Sequence, residues 1–120
     1  RDWGFAGDYV EAMWKMLQNK YPKDYVIATG ENHSVKDFIN EATKILKLRT
    51  RWIGKGLNEK LINVDSKKAI IEIDKKYFRP TEVENLKGDC SKAKKELKWR
   101  PKTNFKNLVK MMIEADLNRN

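Results

Sequence analysis

A lone cysteine, Cys90, leaves this chain unable to close a disulfide within itself, which suits a reducing, cytoplasmic compartment. No apolar run approaches the roughly 20 residues that a membrane-spanning helix needs. Glycine is scarce, with six residues at positions 4, 7, 30, 54, 56 and 88. Gly54-Lys55-Gly56 lacks the strand–turn–helix setting of a phosphate-cradling loop and reads as a turn. The single histidine, His33, stands in the loop 30–34 outside any motif for nucleophilic or metal chemistry, and reads as a loop residue. Repeats, low-complexity tracts and interdomain linkers are missing too. Arg1-Asp2-Trp3 is neither a signal peptide nor a natural start, so the chain is expected to begin mid-protein.

What is present describes one soluble α/β unit. The 120 residues are 40% apolar and 36% charged, enough for a modest core under a heavily charged surface. The net charge of +9 invites a nucleic-acid reading. Its densest cluster is Lys92, Lys94, Lys95, Lys98, Arg100 and Lys102, spread around a short helix with no aromatic stacking motif between them. A solvated surface accounts for that pattern better than a nucleic-acid partner does.

Asp8 is placed to cap a helix whose Val10, Met13, Trp14 and Leu17 recur at helical spacing and read as its core face. Tyr25-Val26-Ile27-Ala28 is too short for a helix and reads as a buried strand ended by Thr29-Gly30. Ser34 and Asp37 make a capping box for a helix with Val35, Phe38, Ile39, Ala42, Ile45 and Leu46 on one stripe. Residues 51–53 read as a strand. Residues 60–64 and 69–73 read as a hairpin turning at Asp65-Ser66. Asp89 is the candidate cap of a short helix over 91–97, pinned by Trp99 and Pro101. A last helix over 104–117 presents Phe105, Leu108, Val109, Met112 and Ile113, with Met111 and Met112 filling the core.

The second hairpin strand leads into Tyr77-Phe78-Arg79-Pro80-Thr81-Glu82-Val83. Pro80 fixes its own φ and pushes Arg79 into an extended conformation. An arginine fork matches phosphate oxygens, and a carboxylate three residues on can accept from a pair of ribose hydroxyls. Arg79 and Glu82 therefore fit a ribose carrying phosphates. An Arg79–Glu82 ion pair that merely shapes the loop uses the same residues.

With Arg1-Asp2-Trp3-Gly4 and Gly88-Asp89-Cys90-Ser91-Lys92-Ala93, this loop resembles the C-terminal part of the GDP-mannose 4,6-dehydratase family, from Arg1 to about Asp116. That family belongs to the extended short-chain dehydrogenase/reductases. The resemblance implies a single substrate-binding lobe over 1–120 that packs on a Rossmann-type cofactor domain absent from this chain. It also implies a homo-oligomeric full enzyme. The family reaction is an internal redox elimination with tightly held NADP, converting GDP-mannose to GDP-4-keto-6-deoxymannose on the route to GDP-fucose. By resemblance Arg1 and Arg79 hold the diphosphate and Glu82 the ribose. The family carries His or Tyr where Phe5 stands, Pro at Cys90 and Gly at Lys98.

The family's Tyr-x-x-x-Lys pair is missing, because Met13, Tyr25, Thr29 and Thr81 stand four places after the four tyrosines. Its catalytic threonine and glutamate, and the Gly-rich turn for NADP, are not in this chain either. The expectation is thus no catalytic, cofactor-binding or metal site here, and no activity in the chain alone. A lobe of another nucleotide-sugar epimerase or reductase would carry a similar arginine and carboxylate. A basic nucleic-acid-binding module would explain the charge but not the Arg79/Glu82 loop.

Overall fold

Seven regular elements follow one another in a computed structural model that describes residues 1–79, 81, 83 and 85–119. They are α1 (Ala6–Leu17), α2 (Val35–Ile45), β1 (Thr50–Ile53), β2 (Lys60–Asn63), β3 (Ala69–Glu72), α3 (Ser91–Glu96) and α4 (Phe105–Leu117). Short 3-10 turns at Gly56–Asn58 and Lys75–Tyr77 complete them. The strands form one antiparallel sheet in the order β1-β2-β3, with Trp52 opposite Leu61 and Leu61 opposite Ile71. Both hairpin strands and the turn at Gly54, whose φ is +80°, fall where the sequence puts them.

The capping box of α2 is complete. Ser34 Oγ accepts from the Asp37 amide at 3.0 Å, and Asp37 Oδ2 accepts from the Ser34 amide at 2.8 Å. On its stripe Phe38, Ile39, Ala42 and Ile45 are half-buried, while Val35 and Leu46 are exposed. This helix packs on α4 through an aromatic cluster: Trp3 stacks on Phe38 with centroids 5.0 Å apart, and Phe105 meets both edge-on at 6.4 Å. Trp52 Nε1 donates to Asn40 Oδ1 at 2.8 Å and ties the sheet to the same helix.

The first helix departs from expectation. It starts at Ala6 with Phe5 as its cap, so Asp8 lies within the first turn and not at the cap. Asp8 is buried, and its Oδ2 accepts from the amides of Lys102 and Thr103 at 3.0 and 2.9 Å. Its carbonyl accepts from Trp99 Nε1 at 2.8 Å. Asp8 therefore clamps α1 to the segment before α4 rather than capping α1. That clamp turns Tyr9, Ala12 and Met16 toward the core of Ala28, Cys90, Ala93, Leu97 and Trp99. Val10, Met13, Trp14 and Leu17, expected to be core, face outward.

Two further corrections concern partners. The segment 25–28 is extended and buries Ala28, but it is not a strand, since among the described residues no neighbouring chain pairs with it. Met111 and Met112 are exposed, because Phe105, Leu108 and Val109 supply the buried face of α4.

Around α3, Asp89 Oδ1 accepts from the Ser91 amide at 2.9 Å, so Asp89 stabilises the helix start although Cys90 is the residue at the cap. Trp99 is fully buried, as expected of a pin. Lys98 follows α3 in the left-handed region at φ 51°, where a side chain is strained and glycine is not. Lys98→Gly should therefore stabilise the fold by roughly 0.5–1 kcal/mol, the strain relieved less the entropy glycine adds to the unfolded chain. Urea unfolding should show a higher midpoint at constant slope; an unmoved midpoint would argue against strain at this position.

Candidate functional site

Two sequence-distant loops meet at the residues before α1, and Asp2 joins them. Its Oδ1 accepts from the Thr29 amide at 2.9 Å and from the Thr29 hydroxyl. Its Oδ2 accepts from the amides of Gly30 at 2.9 Å and Gly88 at 3.2 Å. Gly88 has to be glycine, because a Cβ there would lie 2.2 Å from the Ala28 Cβ. Burial by itself would raise the Asp2 carboxyl; the four hydrogen bonds outweigh it and hold the group below its ordinary range.

Arg1 is fastened on both sides of its backbone. The His33 amide donates to the Arg1 carbonyl at 2.9 Å, and the Arg1 backbone nitrogen lies 2.7 Å from the His33 carbonyl oxygen and 2.8 Å from Asn32 Oδ1. Asn32 Nδ2 donates in turn to Asn85 Oδ1 at 2.7 Å. The Arg1 guanidinium donates to the Val83 carbonyl at 2.8 Å. The structure thus brings Arg1 to the end of the Tyr77–Val83 loop.

Arg79 is exposed, as are Tyr77, Phe78 and Val83, and Arg79 has no ion-pair partner among the described residues. Pro80 and Glu82 lie outside the described residues. A 3-10 turn capped by Asp74, whose Oδ1 accepts from the Lys76 amide at 2.9 Å, stands between β3 and the loop. Beside Arg1, an open hollow of about 430 Å³ is walled by Tyr9, Val26, Ala28, Leu86 and Gly88. Arg1, Asp2 and Lys87 bring charge to its otherwise mostly apolar lining.

His33 stacks on Phe105 at 3.8 Å, with ring planes 7° apart, and its Nε2 lies 3.2 Å from Glu31 Oε2. A carboxylate does stand beside it, yet the stacked ring is used for packing. Among the described residues no three His, Cys, Asp or Glu side chains could share a metal ion, and no helix is long and apolar enough to cross a membrane. Nor do these residues fit a dinucleotide pyrophosphate, since no glycine-rich turn links a strand to a helix N-terminus among them. Asp2, Asn32 and Asn85 escaped the residue-by-residue reading: each acts through backbone and side-chain groups far away in sequence, and no periodicity or spacing announces that.

Comparison with known proteins shows the family. The sequence profile described as GDP-mannose 4,6 dehydratase matches residues 1–112, and the chain belongs to that family. A GDP-mannose 4,6 dehydratase of Drosophila melanogaster is 53% identical over 119 residues, covering 98% of this chain and 30% of the relative. GDP-mannose 4,6 dehydratase 1 of Arabidopsis thaliana is 55% identical over 98% of this chain and 28% of its own length. The Homo sapiens GDP-mannose 4,6 dehydratase is 50% identical over 98% of this chain and 32% of its own length. The chain thus spans about a third of the relatives it matches.

The Asp2 clamp makes acid sensitivity testable. A carboxyl held below its unfolded value of about 3.8 contributes stability that is complete above that pH and is lost as pH falls through the folded value. Asp2→Asn should lower stability at pH 7, by about 2 kcal/mol for the charge-assisted bonds weakened. It should also flatten the fall in stability as pH drops below about 3.8. Denaturant unfolding across that range checks both; parallel pH profiles for the two proteins would contradict the clamp.

Proposed function

We propose that this chain is the C-terminal, substrate-binding lobe of a GDP-mannose 4,6-dehydratase, gripping the GDP end of the sugar nucleotide. In this reading Arg1 and Arg79 neutralise the diphosphate and Glu82 accepts from the ribose hydroxyls. The observation that best supports it is the hydrogen bond from Arg1 to the Val83 carbonyl, which ties one candidate diphosphate ligand to the loop whose sequence carries the other, Arg79, and the candidate ribose ligand, Glu82. The open hollow beside Arg1 adds apolar surface next to that charge.

Contacts of this kind hold the end of the substrate that does not react. They fix where the sugar sits, and such positioning can be converted into rate at the reacting carbons. The proton and hydride chemistry, and the NADP that supplies it, belong in this reading to a Rossmann-type cofactor domain outside the 120 residues. The whole enzyme would be an NADP-dependent lyase of the extended short-chain dehydrogenase/reductase type, a cytoplasmic homo-oligomer with neither nucleic acid nor membrane as partner.

Calorimetric titration with GDP tests the lobe's share. Arg79→Ala should weaken binding roughly ten- to a hundredfold, the worth of one charge-assisted phosphate contact, with the circular dichroism spectrum unchanged. Glu82→Gln should weaken binding of GDP, while 2′,3′-dideoxy-GDP should bind wild type and mutant alike. Equal losses for GDP and its dideoxy analogue would assign Glu82 to shaping the loop instead. Unchanged affinity in Arg79→Ala would remove that residue from the diphosphate site.

A further inference from the structure

Three open hollows are joined by shared walls. The one beside Arg1 shares Lys87 and Gly88 with a second, of about 410 Å³. The second shares Ser91 and Lys94 with a third, of about 580 Å³, which Lys95, Lys98 and Arg100 complete. A continuous furrow therefore runs from Arg1 past Lys87 to Arg100. Its lining holds six cations, Arg1, Lys87, Lys94, Lys95, Lys98 and Arg100, against two carboxylates, Asp2 and Asp89.

Those cations are not answered by nearby acids. Asp2 already accepts from the amides of Thr29, Gly30 and Gly88, and Asp89 from that of Ser91. Glu96, the one acid of α3, accepts from Lys23 Nζ and from the Tyr25 hydroxyl, each at 2.9 Å. Lys87, Lys94, Lys95, Lys98 and Arg100 are exposed and make no salt bridge among the described residues. The dipole of α3 favours a cation in its last turn, which accounts for Lys94 and Lys95. It does not account for Lys87 and Arg100, which lie outside the helix. Unpaired lysine and arginine are among the residues least often buried, so this face is one that water covers.

We infer that the furrow is an electrostatic approach track, along which Lys87, Lys94, Lys95, Lys98 and Arg100 draw an anionic nucleotide sugar to its Arg1 end. The inference rests on the proposed function, since it takes the Arg1 end as the place where the diphosphate is held. Charge of one sign along a cleft raises the local concentration of an oppositely charged ligand, and its association rate by about 10- to 1000-fold. Charges that do not touch the bound ligand act on association and its salt dependence, and leave dissociation alone. A nucleic acid fits the furrow less well. Among the described residues no aromatic ring lines the second or third hollow, so bases would have nothing to stack on.

Stopped-flow mixing with GDP, followed by tryptophan fluorescence, tests the track on the full-length polypeptide that carries residues 1–120. The variant Lys94→Gln/Lys95→Gln/Lys98→Gln/Arg100→Gln removes charge and leaves Arg1, Arg79 and Glu82 in place. At about 0.01 M salt, where the Debye length is about 30 Å, it should associate about tenfold more slowly and dissociate within about twofold of the parent. At about 1 M salt, where that length is about 3 Å, the two should associate alike. Agreement there shows that the variant is folded with its GDP site whole. Lys94→Arg/Lys95→Arg/Lys98→Arg, which keeps the charge, should match the parent at both salts. Equal association at low salt would overturn the inference and leave the proposed function standing. Faster dissociation with unchanged association would overturn it too, because the cluster would then be a contact surface. So would a variant that stays slow at high salt, where charge no longer acts. GDP that binds the parent at neither salt would defeat the proposed function, and the track with it.

Discussion

Most of this structure depends on one carboxylate accepting more hydrogen bonds than its neighbours could find elsewhere. Asp2 gathers three backbone amides and a hydroxyl from segments up to 86 residues away. Each of those amides lies in a loop, with no strand or helix to satisfy it. The core behind them is thin: of its buried described residues Ala12, Ala28, Ala93 and Cys90 are small and Leu97 and Trp99 add bulk, with Tyr9, Met16, Tyr25 and Ile27 packed at its edge. Small side chains let backbones approach closely, as Gly88 does against Ala28, but they bury little apolar area. Asp8 repeats the device at the start of α1, receiving the amides of Lys102 and Thr103. Two aspartates six residues apart thus tie the start of α1 and the residues before it to positions 29–30, 88 and 102–103.

Local chemistry was the legible part of the sequence. The Ser34/Asp37 box, the hairpin, the turn at Gly54 and the buried Trp99 are decided within a few residues, and each forms as expected. The errors arise where a pattern has two physical solutions. Helical spacing marks Val10, Met13, Trp14 and Leu17 as an apolar face; it cannot tell which of two apolar faces meets the core of this lobe, and here the Asp8 clamp decides. The segment 25–28 has strand composition, yet a strand exists only with a partner beside it. Met111 and Met112 sit in an apolar helix whose buried side is already filled by Phe105, Leu108 and Val109.

The candidate site divides along the same line. Arg79 stands out in sequence because its loop is short and chemically suggestive. What positions Arg1 does not stand out, because it is the Asn32-His33 segment, braced by Asn85 on Asn32, together with the Val83 carbonyl. Scaffold residues of this kind are polar, ordinary in composition and visible only once the loops are brought together.

The sheet gives the surface charge a second meaning. Its outer strands, β1 and β3, each present a row of backbone donors and acceptors with no further strand beside them among the described residues. Ile70 and Ile73 are exposed on or just after β3. Such an edge invites another chain to add on and start an aggregate. Lys67 and Lys68 precede β3 and Lys75 and Lys76 follow it, while Arg49 and Arg51 flank and punctuate β1. A strand arriving from a second molecule would bring the same cations into register with these. The lysines and arginines around the sheet, as distinct from the cluster near α3, therefore suit a gatekeeper's place, set where they discourage like chains from zipping together along their edges.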